Sequence, residues 1–349
     1  MNAAVLHARE DIRYEKVPTP VPGPGEVLLR VRAAGICGSD VPRVNGDAAH
    51  FFPIVLGHEF SGVIAGLGEG VTGLAVGQRA TAAPLVPCMR CPDCQRGDYA
   101  LCPDYRFIGS RVNGAFADYV AVPAMGVVTF GDTVPFEQAA FFEPATVALH
   151  GLLHAGFRPG GDVAVLGAGT VGLFALQWAK LLGARRAAAF DISRERLELA
   201  LRLGADAAFD TSEASFLENA MCFTRGGGFG HVFETAGTNA TMAMAFDLAA
   251  GRASVCFIGT AHADLKFPWK LFEKMNRKEF ALTGSWMSYS APFPGREWSW
   301  TAERFGDGGL AFDPSLVFRT FPMERAGEAF ELFKTPGAVK GKILLVNPE

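Results

Sequence analysis

The chain lacks the features that mark several large classes of protein. Its 349 residues carry a net charge of −4, so there is no excess of basic residues to bind a nucleic-acid backbone. The longest stretch without a charged residue, 163–179, contains three glycines and is short for a membrane span. The first ten residues include no apolar run typical of a secretory signal peptide. We therefore expect a cytoplasmic protein without nucleic-acid or membrane partners.

The chain has seven cysteines, an odd number, which fits a reducing compartment better than a disulfide-bonded secreted scaffold. Four of them nevertheless lie close together in the spacing C-x2-C-x2-C-x7-C: Cys88, Cys91, Cys94 and Cys102. Four thiolates at this spacing can surround one zinc ion, and a closed shell leaves no position for a substrate. The spacing predicts a structural zinc lobe over residues 85–105. A pair of disulfides or unliganded thiols is the alternative.

The length and the changing composition indicate two domains. A chain of 349 residues exceeds one ordinary hydrophobic core. Residues 1–150 are rich in glycine, proline and β-branched residues, and predict an irregular β-rich domain. From 151 to 289, short apolar strands alternate with helices, which predicts a parallel, doubly wound α/β sheet. Residues 290–349 are expected to return to the first domain, with a terminal strand at 340–346.

A glycine-rich turn in the second domain has the pattern G-x-G-x-x-G. The pattern alone is a weak signal, but here an apolar strand precedes it and a helix follows, as in a dinucleotide-binding fold. Its glycines would permit a tight turn, close approach of a pyrophosphate and close packing of the helix, whose N-terminus faces the anion. The predicted cofactor-binding residues are Gly167, Gly169, Thr170, Val171 and Gly172.

Asp191 lies nineteen positions after Gly172, at the end of the next predicted strand. Its carboxylate is expected to accept hydrogen bonds from the ribose hydroxyls and to repel a 2′-phosphate, so the sequence favours NAD over NADP. Arg194 is an opposing signal, because a nearby arginine can accommodate a 2′-phosphate. Its alternative role is that of a solvated residue in a helical turn.

Three other segments contain residue types that bind metals. They contain Cys37, the pair His58 and Glu59, and Glu143. Taken singly, these residues could be a core thiol, a core imidazole and a carboxylate at a helix start. Beside a structural zinc lobe and a dinucleotide fold, they predict a second metal site whose donor types favour zinc without excluding other divalent ions.

With these motifs the chain resembles the zinc-dependent medium-chain alcohol and polyol dehydrogenases over its whole length. The resemblance is narrowed within that family by residues 37–43, 49–59, 107–111, 284–290 and 294–298. It implies a β-rich, GroES-like catalytic domain with a four-cysteine zinc lobe, joined to a Rossmann domain. It also implies an NAD-dependent enzyme with two zinc ions per chain, one catalytic and one structural, assembled as a homodimer or homotetramer.

The resemblance further assigns roles at the second metal site. Cys37 and His58 are expected to bind the catalytic zinc, with an oxygen ligand from Glu59 or Glu143, and the sequence leaves that choice open. Asp40 is expected to accept a hydrogen bond that orients His58.

The resemblance, narrowed by the tryptophan-containing segments 284–290 and 294–298, implies a polyol phosphate as the substrate, with a secondary alcohol oxidised by hydride transfer. Ser39 is expected to begin a proton relay, although it could be a simple turn residue. Arg43 and Arg111 could hold the phosphate through bidentate donors, and each could instead be a surface residue. An unphosphorylated alditol such as sorbitol is the competing substrate.

Two other classes of function fit the sequence less well. A zinc ribbon that binds nucleic acid would need a basic surface, but acidic and basic residues around the cysteines are balanced. A zinc-free relative that keeps only the fold should lack the set Cys37, His58 and Glu59, which this chain contains.

Overall fold

The computed structural model describes residues 1–335 and 337–347, which divide into two compact units. The first unit comprises Met1–Glu143, Tyr289–Gly308 and the residues from 314 onward, and the second comprises Pro144–Ser288 and Gly309–Asp313. A hydrogen bond explains why the short segment Gly309–Asp313 belongs to the second unit. The amide of Ala311 donates to Oε1 of Gln177 at 2.8 Å, and so ties this piece to a helix of the second unit.

The first unit consists mainly of β-strands. Up to the unit boundary its strands are β1 (Asn2–Ala8), β2 (Asp11–Lys16), β3 (Glu26–Ile36), β4 (Ile54–Val55), β5 (Glu59–Leu67), β6 (Arg79–Ala82), β7 (Leu85–Val86), β8 (Arg106–Phe107), β9 (Tyr119–Pro123) and β10 (Val127–Thr129). Its helices there are α1 (Val41–Asn45), α2 (Pro92–Arg96) and α3 (Phe136–Ala139). The boundary falls within α4 (Phe142–His154), close to its start.

The second unit is a doubly wound α/β sheet. Its strands are β11 (Asp162–Leu166), β12 (Arg186–Asp191), β13 (Ala207–Asp210), β14 (Phe229–Glu234), β15 (Ala249–Phe257) and β16 (Ala281–Gly284). Its helices besides α4 are α5 (Thr170–Leu181), α6 (Arg194–Arg202), α7 (Phe216–Phe223), α8 (Asn239–Leu248) and α9 (Trp269–Lys278). The strands are parallel in the order β13-β12-β11-β14-β15-β16. The predicted Rossmann architecture is therefore confirmed.

The composition of these strands explains the sheet. All five residues of β11 are buried, and so are the four central residues of β12. Strands buried on both faces have continuous apolar sequences, as parallel sheets covered by helices on both sides require. The order of the strands reverses between β11 and β14, and ligands of such sheets bind at the carboxyl ends of the strands at this switch point.

The C-terminal part of the chain completes the sheet of the first unit. It contains α10 (Arg296–Gly306), β17 (Val317–Pro322), α11 (Ala326–Glu331) and β18 (Lys342–Val346). A seven-stranded sheet has the order β10-β6-β5-β3-β18-β17, with β9 also paired to β3. The terminal strand β18 is antiparallel to β3, with Ile343 opposite Ile36. Residues distant in sequence are thereby brought beside the end of β3.

No helix in the parts of the chain that the structure describes combines the length and the apolar character needed to cross a membrane.

The starts of β11 and β12 are joined by a buried carboxylate. Asp162 accepts hydrogen bonds of 2.9 and 2.7 Å from Arg185 and of 3.1 and 2.6 Å from Arg186. Burial alone would raise the pKa of Asp162, but the hydrogen bonds from Arg186 and Arg185 outweigh it and lower this pKa to about 2. The interaction therefore stabilises the folded unit only while Asp162 is ionised.

We predict that Asp162→Asn lowers the free energy of unfolding at pH 7 by about 1–2 kcal/mol, allowing for solvent screening of the arginines. Because the folded-state pKa lies below the ordinary value of 3.8, this stabilisation is present above that value and is lost as the pH falls towards about 2. Urea unfolding of both proteins between pH 7 and pH 2.5 measures the difference. If the difference in the free energy of unfolding between wild type and variant does not shrink as the pH falls, Asp162 does not stabilise the fold through its ionised form.

Candidate metal and cofactor sites

The four cysteines of the predicted lobe converge in the first unit. Their sulfur atoms all lie within 4.8 Å of one another, and the cysteines are free thiols. Cys91 caps the N-terminus of α2, where its sulfur accepts the amide of Cys94 at 3.4 Å. Sulfur atoms around a tetrahedral zinc with bonds of about 2.3 Å would be about 3.8 Å apart. The cluster thus has the size and the donor type of a closed zinc site.

The electrostatics of the cluster also fit a cation. Backbone amides, first that of Arg90 and then that of Cys91, lower the pKa of Cys88 to about 6. Burial raises the pKa of Cys94 to about 12, and it also raises that of Cys102. Four neighbouring thiolates would repel one another, and a divalent ion at their centre relieves this repulsion.

The lobe is held by a segment that is distant in sequence. The amide of Leu85 donates to the hydroxyl of Tyr289 at 3.1 Å. Tyr99, between the third and fourth cysteines, contacts Phe293 edge to face, with ring centroids 5.2 Å apart. Tyr289 and Phe293 therefore pack against the cysteine lobe.

A second cluster forms because β3 and β5 pair in an antiparallel arrangement. Gly35 lies opposite Glu59, so the chain leaving β3 at Cys37 meets the chain entering β5 at His58. The ligand atoms of Cys37, His58 and Glu59 lie within 4.8 Å of one another. A thiolate, an imidazole and a carboxylate are the donor types of catalytic zinc sites.

Asp40 contacts two residues of this cluster, Cys37 and His58. It is fully buried, its Oδ2 accepts the amide of Cys37 at 3.1 Å, and its Oδ1 lies 3.4 Å from Nδ1 of His58. Burial alone would lower the pKa of His58, but the charges of Asp40 and Cys37 outweigh it and raise this pKa well above its usual value. The imidazole thus lies beside the carboxylate of Asp40 and the sulfur of Cys37, and a metal cation bound here would balance the negative charge of a thiolate ligand.

Lys342, which sequence reasoning missed, completes the surroundings of Glu59. Its Nζ lies 2.7 Å from Oε1 and 2.6 Å from Oε2 of Glu59, and it also donates to the carbonyl of Ile36 at 3.3 Å. Burial lowers the pKa of Lys342, but the charges of Glu59 and Cys37 outweigh it, so this pKa is raised. The one available signal was a lysine at the start of an otherwise apolar terminal strand.

Glu143 lies in the first turn of α4, beside the cluster. Burial raises the pKa of its carboxyl to about 7; the charge of His58 opposes this rise and that of Glu59 adds to it. Within the described residues, the donor atoms that come within 4.8 Å of one another here belong to Cys37, His58 and Glu59. In this conformation Glu59 is therefore the carboxylate placed with the other two donors.

Arg43 lies beside this cluster, in contact with Asp40. Its Nη1 donates to the carbonyl of Ser39 at 2.6 Å and to the Ser39 hydroxyl at 3.0 Å. The same nitrogen is 3.5 Å from Oδ1 of Asp40. The amide of Ser39 in turn lies 3.5 Å from the sulfur of Cys37. Arg43 therefore fixes the loop that carries Ser39, a role that its sequence position did not predict.

Arg111 differs from Arg43 because it is exposed. Its guanidinium lies over the ring of Tyr105, 4.6 Å from the centroid. Burial, followed by the positive charges of Arg111 and Arg43, lowers the pKa of His50. Arg111 and Arg43 thus place positive charge near His50.

The glycine-rich turn of the second unit has the shape of a phosphate cradle. Gly167 has a φ of +94°, a conformation that favours glycine. A Cβ on Gly172 would lie 1.8 Å from the carbonyl oxygen of Gly167, whereas one on Gly169 would meet no heavy atom within 4 Å. The turn thus faces open space at Gly169, directly before Thr170 and Val171 in the first turn of α5. A pyrophosphate fits such a site, since backbone amides and the helix dipole face it.

Asp191 closes this site at the end of β12. Its Oδ2 accepts the amide of Ala168 at 2.7 Å, and its Oδ1 accepts the amide of Ser193 at 2.8 Å. The sequence singled out Arg194 as a neighbouring cation, yet it is Arg196 whose Nη1 lies 4.0 Å from Oδ2 of Asp191. Arg194 and Arg196 are two positions apart in the first turn of α6, so their side chains point in different directions.

Comparison with protein families matches both units. Residues 23–132 match the model of the alcohol dehydrogenase GroES-like domain, and residues 170–303 match that of the zinc-binding dehydrogenases. The predicted GroES-like character of the first domain is thereby confirmed. The two matches cover the second metal cluster and the helical part of the dinucleotide site.

Individual relatives extend over more of the chain. Galactitol 1-phosphate 5-dehydrogenase of Escherichia coli (strain K12) is 39% identical over 92% of this chain and 92% of its own length. Sorbitol dehydrogenase of Bacillus subtilis (strain 168) is 37% identical over 69% of this chain and 70% of its own length.

Solved structures agree with the fold. The crystal structure of galactitol-1-phosphate dehydrogenase from Escherichia coli superposes with a TM-score of 0.93, at 37% identity, covering 99% of this chain and 100% of that one. A zinc-binding dehydrogenase from Sinorhizobium meliloti 1021 bound to NADP has a TM-score of 0.89, at 30% identity, covering 99% and 98%. The likeness therefore includes the nicotinamide dinucleotide fold, but it does not by itself select NAD.

We predict that Cys91→Ser lowers the zinc content of the purified protein by about one equivalent per chain, because a four-sulfur shell loses a ligand. The thermal unfolding midpoint should fall with it. Cys222→Ser is the matched control, since Cys222 is exposed on α7 and lies outside both clusters. Elemental analysis and thermal unfolding of the three proteins measure both effects. Unchanged zinc in the Cys91 variant would reject the lobe as a metal site.

Proposed function

The chain belongs to the zinc-dependent medium-chain alcohol dehydrogenases, and from that premise we propose that it oxidises a secondary alcohol of a polyol phosphate, with galactitol 1-phosphate as the first candidate. The observation that carries the proposal is the convergence of Cys37, His58 and Glu59 within 4.8 Å. Such a donor set leaves a fourth position open on a tetrahedral metal, as an alcohol substrate requires.

The residues of the first unit have distinct roles in this proposal. Cys37, His58 and Glu59 hold the catalytic zinc, and Glu143 is the carboxylate that can take the place of Glu59. When bound, zinc acts as a Lewis acid on the alcohol oxygen and the dinucleotide accepts the hydride. Asp40 fixes the ring of His58 through Nδ1.

Proton removal is assigned to the Ser39 loop. The Ser39 hydroxyl accepts from Arg43 at 3.0 Å, so its own proton is free to point away from the arginine. Ser39 is then placed to accept the alcohol proton while it passes its own hydroxyl proton on to solvent water, as the first step of a relay. Lys342 lies 2.7 Å from the buried carboxylate of Glu59 and supplies the positive charge that balances it.

Two observations support a phosphorylated substrate. The relative with 39% identity over 92% of this chain acts, by its name, on galactitol 1-phosphate. The first unit also presents the exposed guanidinium of Arg111 near His50, where a phosphate group could accept charge-assisted hydrogen bonds. The similarity to sorbitol dehydrogenase keeps an unphosphorylated alditol as the second candidate.

We predict that the enzyme reduces NAD with galactitol 1-phosphate at a kcat/KM at least about tenfold above that with galactitol or sorbitol, because an ionic contact contributes about 1.5–3 kcal/mol. Initial rates of NADH formation, followed by absorbance with a panel of alditols and their phosphates, give the kcat/KM values to compare. A preference for sorbitol over the phosphate would replace the first candidate by the second.

Two arginine variants separate phosphate binding from support of the site. Arg111→Ala should raise KM for the phosphorylated substrate by about tenfold to hundredfold and leave that for an unphosphorylated alditol nearly unchanged. Arg43→Ala should lower kcat on both substrates alike, because Arg43 holds Ser39. An equal effect of Arg111→Ala on both substrates would show that Arg111 does not bind the phosphate.

We also propose that NAD is preferred over NADP. The carboxylate of Asp191 is held by the amides of Ala168 and Ser193 beside the glycine turn, where a 2′-phosphate would meet its charge. Arg196 lies close enough to pair with that phosphate once the carboxylate is removed. Asp191 and Arg196 therefore act in opposite directions on cofactor choice.

Asp191→Ser should accordingly raise kcat/KM for NADP by about tenfold relative to NAD, since one charge repulsion is lost and Arg196 is released. The double variant Asp191→Ser, Arg196→Ala should lose most of that gain. Steady-state kinetics with both cofactors provide the comparison. If the native enzyme already prefers NADP, the role given to Asp191 is wrong.

The assembly as a homodimer or homotetramer and the cytoplasmic location stay predictions. In the second unit, β16 is an edge strand of the sheet, and its Leu282 is exposed. Trp286 follows it and is exposed as well. An exposed apolar edge is a surface that a second copy of the chain could cover.

A further inference from the structure

The carboxyl ends of β11 and β14 meet at the switch point of the second unit. In the parallel pairing of these strands, Leu166 lies beside Glu234. The residues that follow, Gly167 and Thr235, therefore lie beside each other at the start of the crevice. The predicted glycine motif accounts for one side of this crevice only, and the residue on the other side has no role in the proposed function.

Thr235 is bonded to the glycine turn through both its backbone and its side chain. Its amide donates to the carbonyl of Leu166 at 2.9 Å. Its hydroxyl Oγ1 lies 3.0 Å from the same carbonyl oxygen and 2.9 Å from that of Gly167, so its proton is shared between them. A threonine hydroxyl thus restrains the peptide that precedes Ala168.

The restrained carbonyl is the one against which α5 packs. A Cβ on Gly172 would lie 1.8 Å from the oxygen of Gly167 and 2.8 Å from Oγ1 of Thr235. The backbone at Gly172 is therefore in close contact with both partners of this hydrogen bond. Rotation of the Gly167 carbonyl would displace the first turn of α5, whose N-terminus faces the proposed pyrophosphate position.

The segment that carries Thr235 is itself fixed. Glu234 is fully buried, and its Oε1 accepts the amides of Ala236 and Gly237 at 2.8 Å each. The same oxygen accepts the hydroxyl of Thr241 at 2.7 Å. The turn after β14 is thus closed around one carboxylate oxygen, which leaves Thr235 little freedom to move with the glycine turn.

We propose that Thr235 is a positioning residue for the dinucleotide. By holding the carbonyl of Gly167, its hydroxyl keeps residues 167–172 in the conformation that leaves open space at Gly169 and orients the N-terminus of α5. The bound cofactor is contacted by the glycine turn, and Thr235 acts through that turn. The inference rests on the dinucleotide site of the proposed function.

The test compares two variants that differ by one hydroxyl group. Thr235→Ser and Thr235→Ala both lose the methyl group, and only the serine keeps the donor. In titrations of NADH fluorescence without substrate, Thr235→Ala should raise the Kd by about fivefold to tenfold, as expected for the loss of one hydrogen bond. Thr235→Ser should stay within about twofold of wild type.

Thr81→Ala is the matched control for the loss of a buried hydroxyl. Thr81 is buried in the first unit, and its hydroxyl donates to the carbonyl of Phe60 at 2.6 Å. This variant should be destabilised without a change in the Kd for NADH. Equal Kd values for Thr235→Ala and Thr235→Ser would overturn the proposal, whatever the stability of the two proteins.

Amide hydrogen exchange in the cofactor-free protein keeps the proposal testable if NADH binding is weak. The amides of residues 168–172 should exchange faster in Thr235→Ala than in Thr235→Ser, while those of β11 stay alike. Unchanged exchange across 168–172 would overturn the proposal. Wild-type protein that binds no NADH would instead reject the proposed function, so the two failures can be distinguished.

Discussion

The buried ion pair between Glu59 and Lys342 is the interaction on which the proposed metal site of the first unit depends. Glu59 is 1% exposed and Lys342 is 7% exposed, and their charged atoms lie 2.6 Å apart. A buried carboxylate left without its partner costs about 3–5 kcal/mol. Because β3 pairs with both β5 and β18, the same sheet that places Glu59 beside Cys37 also brings the compensating lysine from the end of the chain. The pairing of β3 with β5 and β18 therefore both builds the sheet and neutralises the buried carboxylate of the proposed metal site.

The features that could be predicted from the sequence are those set by neighbouring residues. The cysteine spacing fixes a cluster because a short helix and two turns bring all four sulfurs together. The glycine turn and Asp191 follow from the geometry of one strand, one helix and the next strand. The apolar strands of the second unit likewise indicate a sheet buried on both faces, since no distant partner is needed to recognise them.

The features that could not be predicted depend on pairing between distant segments or on the direction of single side chains. Lys342 and Glu59 are separated by 283 positions and meet only through the order of the strands. Arg43 lies on α1, six positions after Cys37, yet its position in the sequence does not reveal that it bonds to Ser39. In the second unit, Arg196 rather than Arg194 approaches Asp191, because the rotation of α6 decides which residue faces the carboxylate. Sequence patterns thus identify the residues that could bind a metal or a cofactor better than the residues that contact and orient them.

Zinc K-edge X-ray absorption, combined with elemental analysis of the protein as purified, tests the central claim most directly. The account predicts about two zinc ions per chain, one surrounded by sulfur alone and one by sulfur together with nitrogen and oxygen. His58→Ala should remove only the mixed environment. A single zinc per chain in a purely sulfur environment, in active wild-type protein, would contradict the assignment of Cys37, His58 and Glu59 as a catalytic metal site.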